Sequence, residues 1–398
     1  MIMESRDALQ ELRRSFIELY AAIDADAEAP QDVARRFGLN RNLTWKLSRV
    51  ITAEDPFAAL NHLPGTQGIA LALQAIEKSG APRAAISQVE RALEEFQRVV
   101  EAHADDRAQL ELTLEAAGLL AREAGFESGR ELAFRGNSAI WGVQAKTRLS
   151  FAVLGPNKQD DSLCDIAHVG GIIGVRRLRP QTEWRLFHIQ QHDETGTAMA
   201  QLFRPEPLEP GEPDGMPGLL SGFSSPSVPH IDIRRHSSGV EFMLPAGPVG
   251  KSGVFDAFIG FAVRKLPRYR NAENPSGSIA TLVSMPYERS ISDILIHRKL
   301  LPSSGLSSKL YGFPHGGLDT PVAQTVKNEF PMTERIVQLA GSPPAVATSH
   351  VPRYGQLLQH VMKRMEWNPA EFVGYRLVMD HPPMSSKIVL KWDLPEKP

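Results

Sequence analysis

Proline divides this chain. Only Pro30, Pro56, Pro64 and Pro82 lie in residues 1–150, while the other 26 of its 30 prolines follow Gly155. A proline inside a helix removes a hydrogen bond and collides with the preceding turn, so the front can be helical and the back cannot be largely so. In the front, Leu9, Leu12, Phe16, Leu19 and Tyr20 recur at helical spacing, and another helical stretch runs from Gln67 to Gly80. Between Ala84 and His103 the stripe Ile86, Val89, Leu93, Phe96, Val100 steps by three and four. That spacing predicts packing on the helix of residues 107–124, with Leu110 and Leu114, or on the same stripe of a second chain.

From Ser138 onward short apolar runs are broken by Gly and Pro. AIWGVQA, RLSFAVLG, HVGGIIGVRRL, EWRLFHI, GVEFML, FDAFIGFAV, SIATLVSM, YRLVM and KIVLKW read as strands. Tyr354, Leu357, Leu358, Val361, Met362 and Met365 define one late amphipathic helix. The expectation is an α+β chain: a helical domain over 1–80, a helical hairpin over 81–135, and a larger β-rich mixed domain over 136–398. A proline-rich acidic excursion interrupts that domain at 204–218.

Composition excludes little. With 44 basic and 46 acidic residues the formal net charge is -2, so binding to a polyanion would need a local patch. Cys164 is the one cysteine, so no internal disulfide is possible. The N-terminus is charged and helix-periodic rather than signal-like, and no apolar run approaches about 18 residues. The expectation is a cytoplasmic protein without a membrane span.

One segment speaks to function: QDVARRFGLNRNLTWKLSRVI, residues 31–51. Ala34 is small enough for a helix crossing, Gly38 suits a left-handed turn, and Asn40 suits an N-cap. Ala34, Leu39, Leu43, Leu47 and Val50 form the buried set. Asn40, Arg41, Asn42, Trp45, Lys46 and Arg49 are left to face outward. From Glu28 to Thr52 five basic residues (Arg35, Arg36, Arg41, Lys46, Arg49) oppose two acidic ones (Glu28, Asp32), a local excess of +3.

This segment resembles the helix-turn-helix of bacterial transcription factors, most of all the IclR type. It departs from that type in having Thr44 where an aliphatic residue is usual, and TAEDPFAALNHLPG where a β-wing would follow. The resemblance implies contact with double-stranded DNA through Asn40, Arg41, Asn42, Trp45, Lys46 and Arg49. It also implies a homodimeric regulator whose C-terminal domain senses a small-molecule effector or mediates assembly. The alternative is a scaffold protein in which the helix pair is a packing element.

Other constellations are weaker. GPVGKSG (247–253) lacks phosphate-loop spacing and reads as a hairpin loop. On a regular strand His188 and His192 would stand about 13 Å apart, too far to share an ion with Asp193. Cys164 and His168 are close only in sequence, and Gly170–Gly171 and Gly316–Gly317 read as bends or bulges. No catalytic motif, metal site or cofactor is expected.

Overall fold

The computed structural model describes residues 1–117, 119, 123–190, 205–209, 218–236, 239–271, 275–312 and 328–397. The fold is α+β and divides into two units, residues 1–126 and 127–398. Among the described residues no helix is long and apolar enough to cross a membrane.

The first unit is helical: α1 (Ile2–Ala22), α2 (Pro30–Phe37), α3 (Arg41–Thr52), α4 (Pro56–Leu60), α5 (Thr66–Lys78), α6 (Arg83–His103) and α7 (Arg107–Ala116). Local chemistry sets the boundaries. Gly38 ends α2 at φ +65°, the Asn40 side chain accepts from Asn42 N to start α3, and Asp55 and Asp106 cap α4 and α7. Leu9, Leu12, Phe16 and Leu19 are buried along α1, as their spacing predicts.

The stripe on α6 packs mainly on α1, and the expected partner α7, with Leu110 and Leu114, joins the same core. Ile86, Val89, Phe96 and Val100 are buried in one core with α1, so the stripe is covered within its own chain and is not open to a second copy. Residues on both sides of position 80 share that core as far as Leu114, so 81–135 forms no unit of its own. Its last helix, α8 (Glu123–Trp141), lies mostly in the second unit. That helix continues through the first half of AIWGVQA, where a strand was expected.

The second unit is built on a seven-stranded sheet in the order β12-β13-β9-β1-β2-β7-β4. Its centre is β1 (Val143–Pro156), antiparallel to β2 (Leu163–Arg177) and parallel to β9 (Tyr287–His297). Outward from these lie β13 (Phe372–Asp380) with β12 (Val337–Leu339), and β7 (Phe255–Pro267) with β4 (Glu206–Pro207). A four-stranded sheet holds β8 (Ser276–Val283), β10 (Ser307–Gly312), β11 (Glu329–Phe330) and β14 (Ser386–Asp393). A three-stranded sheet holds β3 (Trp184–Gln190), β5 (Asp232–His236) and β6 (Gly239–Leu244).

Alternation along β1 separates two cores. Leu149, Phe151 and Val153 pack with α9 (Tyr354–Met365) on one face, while Ala152 and Leu154 pack with both smaller sheets on the other. Gly171 is neither bend nor bulge: a Cβ there would meet a ring carbon of Phe258, its register partner on β7, at 2.6 Å. The irregularity falls just after it, between Ile172 and Val175, where Gly174 has φ +66°. The GPVGKSG segment joins β6 to β7, which lie in different sheets, so it is no hairpin. The buried Arg177 guanidinium clamps it, donating to Pro245 O at 2.6 Å and Pro248 O at 3.5 Å.

Candidate functional site

The predicted contact residues of α3 come out on one face. Arg41, Asn42, Trp45 and Arg49 are exposed and Lys46 is half-buried, while Ala34, Leu47 and Val50 are buried and Leu39 and Leu43 half-buried. Asn40 is exposed, but its side-chain oxygen is engaged at 2.8 Å by the backbone N–H of Asn42. Thr44 fits although it is wholly buried, because its hydroxyl donates back to Arg41 O at 3.1 Å. Trp45 is held edge-on by His62 at 5.5 Å, and the Arg49 guanidinium stacks over its ring at 5.6 Å. His62 belongs to the segment standing where a wing would be, so that segment braces the outward face of α3.

Chemistry gathers more densely in the second unit. At one end of the central sheet a cavity of about 510 Å³ is lined by Lys146 and Thr147 of β1, Ile173 of β2, Glu288 and Arg289 of β9, and Asp380 of β13. His381, Ser349, His350 and Pro352 complete it, the last three from the segment leading into α9. The parallel pairing of β1 with β9 and the antiparallel pairing of β13 with β9 bring these ends together.

Arg289 organises the cavity. Its Nε donates to Asp380 Oδ1 at 2.5 Å and its second terminal nitrogen to Oδ2 at 3.1 Å, while the remaining one reaches the His350 ring. The fork geometry suits a planar carboxylate, and the bond to Arg289 holds the Asp380 carboxyl below its ordinary range. His381 sits at φ +46°, fixed by its N–H on Glu288 O at 2.9 Å and by its ring against Phe134 of α8 at 5.2 Å. Among the described residues neither Lys146 nor Glu288 makes an ion pair. The wall therefore holds a fixed ion pair and, beside it, one further charge of each sign.

None of these lining residues was expected from the sequence. They come from five separate segments, and no spacing rule joins them. The constellations that were considered do not assemble. Cys164 is buried with its thiol toward Leu266 O and Pro267 O, and burial pushes that thiol up to about 12. His168 bonds instead to Ser150. His192 and Asp193, Gly316 and Gly317, and most of the proline-rich excursion lie outside the described residues. Among those described, no group of three or more His, Cys, Asp or Glu could hold a metal ion.

No family model matches this chain, and no curated protein matches it. Among solved structures it is similar to the M1 zinc metallopeptidase from Deinococcus radiodurans, at 7% identity and a TM-score of 0.27, covering 63% of this chain and 42% of that one. It is also similar to a putative protease from Parabacteroides distasonis, at 8% identity and a TM-score of 0.27, covering 63% of this chain and 40% of that one. This chain thus spans about two-fifths of their length. At that score nothing of their activity carries over. The expectation of a DNA-binding transcriptional regulator finds no counterpart among these similar chains, a zinc metallopeptidase and a putative protease, and it is withdrawn.

Proposed function

We propose that the β-rich unit is a small-molecule binding module whose ligand carries both an acidic and a basic group. One observation carries this reading: a single cavity is lined by Lys146 and Glu288, neither in an ion pair among the described residues, beside an Arg289–Asp380 pair that fixes the wall. A volume of about 510 Å³ falls in the range of ligand pockets. A ligand of one sign would leave the opposite wall charge facing it, whereas a zwitterion satisfies both. His350 and His381 add ring nitrogens that donate or accept according to tautomer.

Isothermal titration of the full chain with free amino acids, their N-acetylated forms and their amides tests the proposal. The zwitterions bind, and masking either charge weakens binding about tenfold, a loss of ~1.4 kcal/mol. Lys146→Ala reduces affinity for the zwitterion but not for the N-terminally charged amide, and Glu288→Ala reduces affinity for the zwitterion but not for the N-acetylated form. Equal affinity for masked and unmasked forms, or no binding of any, overturns the proposal.

A further inference from the structure

A second place in the same unit carries an unbalanced charge. Arg148 lies on β1, and its register partner across the parallel ladder is Ser290 of β9. Two residues on, Ser292 bonds Thr281 of β8 at 2.7 Å, which places this face of the central sheet against the four-stranded sheet. Arg148 is therefore directed between layers, where its guanidinium stacks on Phe187 at 5.4 Å. Among the described residues its one hydrogen bond is to a carbonyl, Gly171 O, at 3.3 Å.

Among the described residues no carboxylate pairs with it. Tyr287 is the one ionisable group that favours its charged form, and burial works against that charge. Three polar atoms here are closed to solvent and unpartnered, Arg148 Nε, Ser290 Oγ and His168 Nδ1, while the buried Tyr287 hydroxyl has the Ser284 side chain beside it. The other His168 nitrogen lies 3.0 Å from Ser150 Oγ. None of these residues lines the cavity described above. Water can satisfy hydroxyls and a ring nitrogen, but it carries no charge to set against the half-buried Arg148 guanidinium, whose Nε is closed to solvent.

We infer that Arg148, Ser290 and Tyr287 form an interior site for a small carboxylate. The guanidinium supplies a fork that matches the two carboxylate oxygens, and the two hydroxyls supply further donors. One positive charge balances a monoanion. A phosphate dianion would leave a net negative charge between the layers.

Thermal unfolding of the full chain in sodium acetate, against sodium chloride at equal ionic strength, decides it. Acetate at tenfold excess over its midpoint raises Tm by on the order of 3 °C beyond chloride. Arg148→Met removes the difference and, lacking the uncompensated charge, is at least as stable as the parent in chloride. Lys146→Ala, which alters only the zwitterion cavity, keeps the response, so this inference and the proposed function fail separately. Ser290→Ala retains the charge and shifts the acetate midpoint several-fold upward, a readout that holds even if Arg148→Met does not fold. Equal action of acetate and chloride on the parent, a response surviving in Arg148→Met, or an unmoved midpoint in Ser290→Ala overturns the inference.

Discussion

The two units bury different things. Among the described residues of the helical unit the buried polar ones are Ser5, Ser15, Thr44 and Ser48, and three of these hydroxyls are bonded to backbone carbonyls. The β-rich unit buries Arg130, Asp165, Arg177, Asp293, His297 and Lys387 as well. A helix satisfies its backbone internally and needs only an apolar face to pack. A layered sheet must pin distant strands and a crossing helix to one another, and here ionic groups do that. Asp293 is wholly buried on β9, accepts from Arg376 of β13 at 2.8 and 2.6 Å, and accepts from the Tyr354 hydroxyl of α9 at 2.7 Å. One carboxylate thus ties α9 to two strands.

The largest expected effect breaks that tie. Asp293→Ala leaves Arg376 without its anion and costs about 4 kcal/mol, comparable to truncating a core leucine such as Leu12 in the helical unit. The two losses differ in how they are repaired. Replacing both partners, Asp293→Leu with Arg376→Met, recovers most of the stability because no charge is stranded, whereas Leu12→Ala has no charged partner whose removal compensates. Urea unfolding followed by tryptophan fluorescence reads both, since Trp141, Trp184, Trp367 and Trp392 report the β-rich unit and Trp45 the helical one. A double variant no more stable than Asp293→Ala would show that the ionic group has a role beyond its own charge balance.

The same contrast decides what was legible in the sequence. Helices announce themselves locally through spacing, caps and turn glycines, and α1, α3, α6 and α9 stand where Leu12, Leu47, Phe96 and Val361 place them. Strands with continuous apolar runs, such as β2 and β7, were equally plain. β9 was not: Ser290, Ser292 and Asp293 interrupt YERSISDILIH, yet it is a central strand. Their partners are far away in the chain, Arg376 at 83 residues and Tyr354 at 61 from Asp293, and no periodicity carries such information. The cavity was hidden for the same reason, since strand pairing alone brings Lys146, Glu288 and Asp380 together. In the helical unit the exposed face of α3 was legible as a face, but exposure does not name a partner.

A smaller effect comes from His168, whose pKa burial, reinforced by the Arg148 charge, pushes down to about 4. The unfolded value is near 6.5, so the folded protein resists a proton that the unfolded chain accepts. Its contribution is complete above pH 6.5 and is lost as pH falls from there toward 4, on the order of 3 kcal/mol over that window. His168→Gln keeps a side-chain partner for Ser150 and removes the titration, so its stability curve is flatter between pH 6.5 and 4. Parallel curves for parent and variant would mean that the imidazole is accessible to protons in the folded state.

The smallest effect belongs to the helical unit and is purely conformational. Gly38 stands at φ +65° between α2 and α3, and a Cβ there would meet nothing within 4 Å. Gly38→Ala therefore adds no clash and costs about 1 kcal/mol from the left-handed backbone alone, while Gly38→Asn, which tolerates that region, costs less. Gly171→Ala in the β-rich unit is the counterpart with ordinary backbone but no space, its added carbon being directed into the Phe258 ring at 2.6 Å. Thermal unfolding separates the two cases: asparagine rescues position 38 and worsens position 171. If asparagine were no better than alanine at 38, the turn between α2 and α3 would not require the left-handed conformation that sets the angle of the two helices.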